Sequence, residues 1–325
     1  MRQARMRDEK GAALISVIFL VAIMSMTSIA LLEVTTKSIR RAKLTDNQSQ
    51  INWMMISAEE VGHVAIGQLF DQTSGNLNDM TPYLEQDIVM PVLDATLLIR
   101  VEDASNCFNL NAMLSGRSVR QSANQAFLNL LIALKINENE AESLRARLLD
   151  WLDHDNTPRL GGAEDSYYAG MRPSYRAADT QLVHVSDLRA IRGYTQEIYE
   201  VIEPYMCALN HDNPAILNVN TLNLEQAPLL TMATGGTIDI DLARNIIEDR
   251  PVGGWESIQD FADLEAIKLI ETDQMNLEYL SIQSKYLSLI GQVQRRGQAS
   301  DFQLLYVQEQ VGQPVKIIQR VYGVM

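Results

Sequence analysis

The chain has 325 residues, of which 46% are hydrophobic and 21% are charged, so it can bury a large core and is long for a single domain. Its formal net charge of -14 repels a phosphate backbone and argues against general nucleic-acid binding. Only two cysteines occur, which excludes a zinc site of four thiolates. The common nucleotide-binding, hydrolase and zinc-protease motifs are absent from the sequence, so we do not expect an enzyme.

The N-terminal region predicts one long helix that begins in a membrane. Residues 11–32, GAALISVIFLVAIMSMTSIALL, carry no charge, and as a helix they span about 33 Å, enough to cross the hydrocarbon core of a bilayer. A cleaved secretory signal is the alternative, but its apolar region is normally only about 7–15 residues long. Because no proline occurs before Pro82, we expect one helix over 12–70, membrane-embedded first and amphipathic afterwards.

Basic residues flank the apolar run on both sides, so the charge bias does not orient it in a membrane. Equal numbers precede and follow the run, although the chain as a whole is acidic. The topology therefore stays open at this point. The flanking cations are Arg2, Arg5, Arg7 and Lys10 before the run, and Lys37, Arg40, Arg41 and Lys43 after it.

Strands are predicted on both sides of a long helical block. TLLIRVED at 96–103 is rich in β-branched residues, and its apolar and polar residues partly alternate, as expected of a strand. Near the C-terminus, polar turns that contain glycine separate three further candidates, KYLSLIGQV, SDFQLLYVQEQ and PVKIIQRVYGV. This spacing predicts an antiparallel meander. The residues between about 105 and 280 are mostly helical by their hydrophobic period.

The helical block contains a weak internal repeat. FNLN at 108–111 is echoed by LNVN at 217–220, RARLLDWLD by ARNIIEDR, and VSDLRAI by IQDFADL. We therefore expect two related helical lobes. Each lobe contains a segment similar to a helix-hairpin-helix module, whose backbone N–H groups can bind phosphate. Acidic residues flank both segments and oppose phosphate binding, so a structural scaffold is favoured over DNA contact. These acids are Glu197, Glu200, Asp239 and Asp241.

The acidic loop DWLDHDNTPRLGGAED at 150–165 is the best candidate for a chemical site. Calcium needs about six to eight oxygen ligands, which a bent loop can gather from carboxylates and carbonyls. Counted from Asp153, the spacing mimics an EF-hand loop as far as Glu164, but Pro158 replaces the glycine. A solvated loop is the alternative, and nothing in the sequence supplies a catalytic nucleophile. The candidate ligands are Asp150, Asp153, Asp155, Thr157, Glu164 and Asp165, with Asp179 and Asp187 less supported.

The N-terminus resembles that of a known family. A short basic leader ending in Gly11, followed by an apolar helix that opens at Ala12, is similar to the class III signal of type IV pilins and type II secretion pseudopilins, which a prepilin peptidase cuts between these two residues. The fifth mature residue is usually Glu in that family, whereas here it is Ser16, as is typical of the minor pseudopilin K family. FNLNAML, DWLDHDNTPRLGGAEDSYY, VSDLRAIRG and LNVNT extend this resemblance over nearly the whole chain.

The resemblance implies an α+β fold. A type IV pilin-like long N-terminal helix would pack on a small antiparallel sheet, with a large inserted α-helical domain that contains the two lobes. The implied divisions are a prepilin leader at 1–11, the N-terminal helix at 12–70, a pilin-like domain formed by 71–105 and 281–325, and the inserted domain at 106–280. DWLDHDNTPRLGGAEDSYY also resembles the calcium-binding segment of the family, which favours one or two Ca²⁺ ions at the acidic loop.

The resemblance also implies a role. We expect a bacterial inner-membrane protein with its bulk in the periplasm, which initiates or caps the pseudopilus as part of its tip during export of folded proteins. The implied partners are minor pseudopilins I and J, pseudopilins H and G through them, the inner-membrane assembly platform and the prepilin peptidase, with no nucleic acid. The alternatives are a minor pilin of a DNA-uptake or twitching filament and a membrane-tethered enzyme. In an oxidising periplasm, Cys107 and Cys207 should form a disulfide across the first lobe.

Overall fold

The computed structural model describes residues 2–114, 117–210, 216–268, 270 and 277–323. The helices are α1 (Arg2–Thr73), α2 (Arg117–Ala133), α3 (Glu138–Leu152), α4 (Asp165–Tyr168), α5 (Gln196–Ile202), α6 (Ala227–Ala233), α7 (Ile240–Glu248), α8 (Ile258–Ala262) and α9 (Glu265–Lys268). The strands are β1 (Ile88–Val92), β2 (Ala95–Asp103), β3 (Phe108–Asn109), β4 (Met206–Cys207), β5 (Leu217–Asn218), β6 (Leu280–Ser281), β7 (Tyr286–Arg295), β8 (Gln298–Val307) and β9 (Lys316–Tyr322). Short 3₁₀ helices occupy Leu110–Leu114, Val185–Ala190, Glu203–Tyr205, Leu224–Gln226 and Leu277–Tyr279.

α1 is longer than the predicted helix at both ends. It begins at Arg2, so the leader residues continue the helix, and the backbone of Gly11 and Ala12 lies within it. A lone glycine costs a helix only about 1 kcal/mol, too little to break one of this length. α1 ends at Thr73, where the next two residues adopt positive φ angles of 54° and 79°. The expected cleavage point therefore falls inside a continuous helix of the uncleaved chain.

The two halves of α1 have different surroundings. From Leu14 to Val34 the large apolar side chains are exposed, and an 18-residue window reaches a mean hydropathy of 2.5 with no residue buried. Within the part of the chain that the structure describes, this is the one helix long and apolar enough to cross a membrane. In the second half, Ile51, Met55 and Ile66 are buried in a cluster shared with the sheet. α1 is therefore a candidate membrane span followed by a packed helix.

The main sheet has the strand order β1-β2-β7-β8-β9, and each neighbouring pair is antiparallel. The predicted strand at 96–103 and the C-terminal meander are confirmed. β1 is missing from the prediction because Pro91 lies within it, and a proline that cannot donate is tolerated in an edge strand. The helical block leaves the sheet after β2 and returns at β7, so it emerges between two neighbouring strands.

Close packing and a charged contact fix α1 on the sheet. A Cβ atom at Gly62 would lie 2.4 Å from Cδ2 of Leu289, so only glycine allows this approach. The Glu59 carboxylate accepts hydrogen bonds from Arg320 Nη2 at 2.7 Å and from the Tyr322 hydroxyl at 2.6 Å. The Arg320 guanidinium lowers the pKa of the Glu59 carboxyl. These contacts hold α1 against β9 as well as against β7.

The helical block is built from two lobes that close in the same way, as the internal repeat predicts. β3 pairs in parallel with β4 in the first lobe, and β5 pairs in parallel with β6 in the second. The Asn111 side chain exchanges hydrogen bonds of 2.8 Å and 2.9 Å with the backbone of Leu182. The Asn220 side chain does the same with the backbone of Trp255, at 2.8 Å and 2.9 Å. Each asparagine therefore clamps the segment that precedes the next capped helix.

The lobes share a helix cap but differ in one connection. A reciprocal capping box starts the 3₁₀ helix Val185–Ala190, and another starts α8. Its acidic member is Asp187 in the first lobe and Asp260 in the second. Between the preceding helix and the clamped residue, the first lobe has the long connection 153–181, whereas the second has only 249–254. The acidic loop therefore lies in a segment that has no counterpart in the second lobe.

A buried polar network joins the lobes to the sheet. Asp103, at the end of β2, accepts hydrogen bonds from the hydroxyls of Thr221 and Ser284 and from the backbone N–H of Ser105. The Asn218 side chain donates to Ser284 Oγ at 2.8 Å. Burial raises the pKa of the Asp103 carboxyl. The network thus connects the point where the block leaves the sheet with the point where it returns.

The buried apolar side chains fall into separate clusters. One cluster runs from Phe108 to Leu280 and includes side chains of both lobes. Another runs from Ile51 to Val315 and includes side chains of α1, β2, β7 and β8. The fold is therefore α+β, a long helix packed on an antiparallel sheet with a large helical insertion. The domain boundaries given above stay predictions.

We predict that Asn220→Ala and Asn111→Ala each lower the free energy of unfolding by about 2–4 kcal/mol, because each leaves a buried backbone N–H and C=O without a partner. Asn139→Ala removes an exposed asparagine of α3 and serves as the control, with an expected effect below about 0.5 kcal/mol. Denaturant unfolding followed by circular dichroism measures all three. Similar effects of the three substitutions would contradict the clamping role.

Candidate metal centre

The acidic loop follows α3 and packs back against it. α3 ends at Leu152, and Arg147 on the same helix donates from Nε to the carbonyl of Gly161 at 3.1 Å. The next residue, Gly162, approaches α3 so closely that a Cβ atom would lie 1.9 Å from Oδ2 of Asp150. The Gly-Gly pair that the sequence places in this loop is therefore needed for the close return of the chain.

Three carboxylates converge in this loop. One ligand atom from each of Asp153, Asp155 and Glu164 lies within 4.8 Å of the others. Glu164 is only 2% exposed, and neither of its carboxylate oxygens has a hydrogen-bond partner among the described residues. One oxygen of Asp153 and one of Asp179 are likewise buried and unpartnered there. Because unpaired buried carboxylate oxygens are costly, this arrangement favours a bound cation.

The electrostatics of Glu164 agree with this geometry. Burial, with the nearby charges of Asp150, Asp153, Asp155 and Asp179, raises the pKa of the Glu164 carboxyl from 4.5 to about 7. Since the pKa is higher in the folded state than in the unfolded state, the ionised form is disfavoured by folding. Without a cation, the stability that depends on Glu164 falls as the pH rises from about 4.5 to about 7. A cation among these oxygens removes this cost.

Asp150 has an arginine partner. Its Oδ1 accepts a hydrogen bond from Arg159 Nη1 at 2.6 Å, and its Oδ2 accepts one from the backbone N–H of Arg159 at 3.2 Å. Arg159 Nη1 also lies 2.7 Å from Oδ2 of Asp153. A fully buried carboxylate needs a charged partner, and the guanidinium supplies it. The structure thus gives Asp150 an ion pair, and its role as a metal ligand stays a prediction.

The other predicted ligands have different partners. Asp165 begins α4 and accepts a hydrogen bond from a backbone N–H at 3.0 Å. Thr157 is exposed and donates its own backbone N–H to Asp155 Oδ1 at 2.8 Å. Asp187 accepts the backbone N–H of His184 in its capping box, as Asp260 accepts that of Ser257 in the second lobe, and it also accepts the backbone N–H of Val183. The candidate centre therefore consists of Asp153, Asp155 and Glu164, with Asp179 close enough to act on the pKa of Glu164.

Aromatic side chains support the loop. Trp151, at the end of α3, packs edge-on against Tyr168 with ring centroids 5.1 Å apart. Tyr168 in turn packs against Tyr175 at 5.2 Å and is fully buried. Trp151 lies in the last turn of α3, two residues before Asp153, so its packing anchors the start of the acidic loop. This packing restricts the positions that the ligand oxygens can take.

A disulfide closes the first lobe near the sheet. Cys107 and Cys207 are bonded, with an S–S distance of 2.00 Å and a sequence separation of 100. Both cysteines pack with side chains of β7 and β8, including Tyr286 and Leu305. The cross-link therefore joins the start and the end of the first lobe where the lobe contacts the sheet.

The segments similar to helix-hairpin-helix modules use their turns for internal contacts. A Cβ atom at Gly193 would lie 1.8 Å from Nη1 of Arg147, and one at Gly254 would lie 2.4 Å from Cγ of Asn220. Side-chain caps also accept hydrogen bonds from backbone N–H groups in the first turns of α5 and α8. The groups that would bind a phosphate are thus largely used within the fold.

Family models described as type II secretion system (T2SS), protein K, match residues 106–211 and 217–283, which together make up more than half of the chain. The chain belongs to the type II secretion system protein K family. The division between the two matched regions falls between β4 and β5, at the division between the two lobes.

Relatives in this family match most of the chain. Protein K of Aeromonas hydrophila is 31% identical over 79% of this chain and 80% of its own length. Protein K of Pectobacterium carotovorum subsp. carotovorum is 29% identical over 97% of both chains. A solved structure, that of the GspK-GspI-GspJ complex of enterotoxigenic Escherichia coli, matches with a TM-score of 0.77 at 21% identity, covering 88% of this chain and all of that one. The protein K fold is therefore shared.

We predict that reducing the disulfide of this protein K family member lowers the free energy of unfolding, because the unfolded chain regains the freedom of a loop of about 100 residues. The chain-entropy limit is about 4.7 kcal/mol. Cys107→Ala/Cys207→Ala should lose the sensitivity to reductant, and unfolding with and without reductant compares the two proteins. Two free thiols in the native protein, counted by mass analysis after alkylation, would contradict the cross-link.

Proposed function

We propose that the protein is a minor pseudopilin that caps the type II secretion pseudopilus in complex with I-type and J-type minor pseudopilins. Membership of the protein K family and the fold shared with a protein solved as a GspK-GspI-GspJ complex carry this proposal. The protein acts as a structural subunit during export of folded proteins. H-type and G-type pseudopilins, the assembly platform and the prepilin peptidase are its further partners.

Membrane placement follows from α1. The exposed apolar side chains from Leu14 to Val34 have no protein to pack against in the described chain, and a bilayer provides the apolar surroundings that they need. A single span then places the folded part on one side of the inner membrane, in the periplasm. The disulfide agrees with an oxidising compartment.

Ser16 supports a position at the tip. In pilin filaments the glutamate at the fifth mature position of an incoming subunit is thought to neutralise the amine of the subunit above it, since an unpaired charge in the membrane interior is costly. A subunit at the tip has no subunit above it. A small polar side chain such as that of Ser16 avoids an unpaired buried charge.

The helical block gives a steric reason for the same position. It enters and leaves between the neighbouring strands β2 and β7. The hydrogen bond from Thr221 to Asp103 and the apolar cluster around the disulfide fix it to the sheet. A block of this size fits at the end of a narrow filament. Along the shaft it would obstruct the stacking of other subunits.

The residues of the acidic loop fit a calcium ion. Asp153, Asp155 and Glu164, with Asp179 nearby, offer hard carboxylate oxygens, and four of these oxygens are buried and unpartnered in the described chain. Calcium prefers such ligands and would neutralise the charge that raises the pKa of Glu164. The ion would stabilise the first lobe and carry out no chemistry. One ion, or two if further carbonyls contribute, would be held there.

We predict that calcium raises the free energy of unfolding of the wild type, by about 2.7 kcal/mol at a hundredfold excess over Kd. Glu164→Gln should lose this gain, because the neutral amide binds calcium weakly. In chelator above pH 7 the same variant should be at least as stable as the wild type, because it carries no buried charge. Thermal unfolding with calcium and with chelator measures both effects.

Asp260→Asn is the matched control for Glu164→Gln. It changes the acid that caps α8 in the second lobe, which is not a candidate ligand, so it should lower stability equally with calcium and with chelator. Identical unfolding of the wild type in calcium and in chelator would contradict the calcium site and leave the secretion role untouched.

The tip position predicts how the subunit assembles. The full chain should copurify with I-type and J-type minor pseudopilins and should not polymerise alone, and Ser16→Glu should not improve assembly relative to Ser16→Ala. Cysteine crosslinking in assembled pseudopili measures the neighbours of each subunit. Repeated crosslinks of this subunit between major subunits along the shaft would contradict the tip position.

A further inference from the structure

The segment of α1 that follows the apolar run carries an isolated cluster of positive charge. Residues 34–45 contain four basic residues and no acidic one, within a chain of net charge -14. Lys37 forms an ion pair with Glu33 at 2.6 Å. Arg40, Arg41 and Lys43 are exposed and form no ion pair or side-chain hydrogen bond with any described residue. We call these three residues the juxtamembrane basic patch.

The continuous helix fixes the height of this patch above the membrane. At 1.5 Å per residue, Arg40 lies about 12 Å and Lys43 about 16 Å beyond Leu32, where the apolar run ends. The headgroup layer extends about 5–8 Å beyond the hydrocarbon core. Long side chains extend several ångströms further toward the interface. The charged groups can therefore reach lipid phosphates, or lie within about one Debye length of them.

The patch faces the space below the folded part of the molecule. Arg40 and Lys43 precede Asn47 by seven and four residues, so the three lie on one face of α1. Asn47 contacts the hairpin between β7 and β8, where its Oδ1 accepts a hydrogen bond from Arg295 Nη1 at 2.6 Å. Arg40 and Lys43 therefore point under this hairpin, toward the membrane surface that the hairpin overhangs, and Arg41 lies on the adjoining face of the helix.

Nearby acids do not neutralise the patch. Asp94 is the acid at the base of the sheet, and its two oxygens bind Arg295 at 2.8 Å and Arg296 at 3.0 Å. Asp46 follows the patch directly, but it forms no ion pair with Lys43 in the described chain. The basic charge is therefore free to act on a ligand outside the protein.

The orientation proposed above makes these charges unusual. Lysine and arginine next to a span are normally enriched on the cytoplasmic side. This patch lies on the translocated side, and together with Lys37 it equals in number the four basic residues before the span. Basic residues on the translocated side disfavour this orientation of the span, unless an anionic partner neutralises their charge. The partner that is always present at this height is the headgroup layer.

From these observations we infer that the juxtamembrane basic patch binds the phosphates of acidic phospholipids in the outer leaflet of the inner membrane. This inference rests on the membrane placement proposed above. The bound lipids hold the unassembled subunit at a fixed depth and keep the folded part close to the membrane surface. Extraction of the subunit into the filament then breaks these contacts.

The test compares lipid binding by the full-length chain in neutral detergent, with phosphatidylglycerol and phosphatidylcholine as probes and native mass spectrometry as the readout. The wild type should prefer phosphatidylglycerol. Each basic residue near an anionic surface contributes about fivefold. Arg40→Gln/Arg41→Gln/Lys43→Gln should therefore weaken the preference at least about tenfold, while Arg40→Lys/Arg41→Lys should keep it.

Arg244→Gln/Lys268→Gln/Lys285→Gln is the control, since it removes the same charge from exposed positions remote from the span and should keep the preference. A patch variant that still prefers phosphatidylglycerol, or a wild type with no preference, would overturn the inference. Loss of I-type and J-type partners with unchanged lipid binding would show instead that the patch is a protein interface. Membrane placement is checked separately: wild type that washes off vesicles at alkaline pH would refute the placement itself.

Discussion

The placement of the helical block on the sheet depends on one buried carboxylate, that of Asp103. It is 7% exposed and has no cationic partner among the described residues, so hydrogen bonds must compensate its burial. Its donors come from three distant parts of the chain, Ser105, Thr221 and Ser284. A buried carboxylate without these donors would lower the stability of the folded state. The need to satisfy Asp103 therefore brings both ends of the helical block and the second lobe to one point beside β2 and β7.

An asparagine clamp and a capping box occur in both lobes, and they explain why the acidic loop can be long and still ordered. In both lobes an asparagine clamps the residue that ends the connection, and a capping box follows it. In the first lobe the connection 153–181 is held at its start by α3 and at its end by Asn111. The asparagine hydrogen bonds and the capping box are present in both lobes. Only the connection of the first lobe brings carboxylates together. The second lobe uses its own asparagine, Asn218, in the network around Asp103.

The sequence predicts those features that depend on local pattern. The long helix, the meander and the repeat follow from periodicity and spacing, and the structure confirms them. β1 is not predicted, because Pro91 within it argues against a strand in the sequence, although an edge strand tolerates a proline. For the candidate site, the sequence and the carboxylate geometry point to the same loop, but the sequence does not rank its acids. Asp150 meets Arg159, and Asp179 comes near Glu164, only because the chain folds. Asp187 instead caps a helix through residues three and four positions before it, a local contact.

The charges of the protein act in two places that do not cancel each other. Opposite charges attract strongly only within about a Debye length, about 8 Å at physiological ionic strength. Asn47, where the sheet first contacts α1, lies about 22 Å beyond the apolar run, so the acidic lobes begin beyond that range from the lipid phosphates. In the proposed membrane placement, Arg40, Arg41 and Lys43 lie within reach of those phosphates. A strongly acidic protein can thus carry a carboxylate cluster in its first lobe and a basic segment beside its apolar run, because solvent screening keeps the two fields apart.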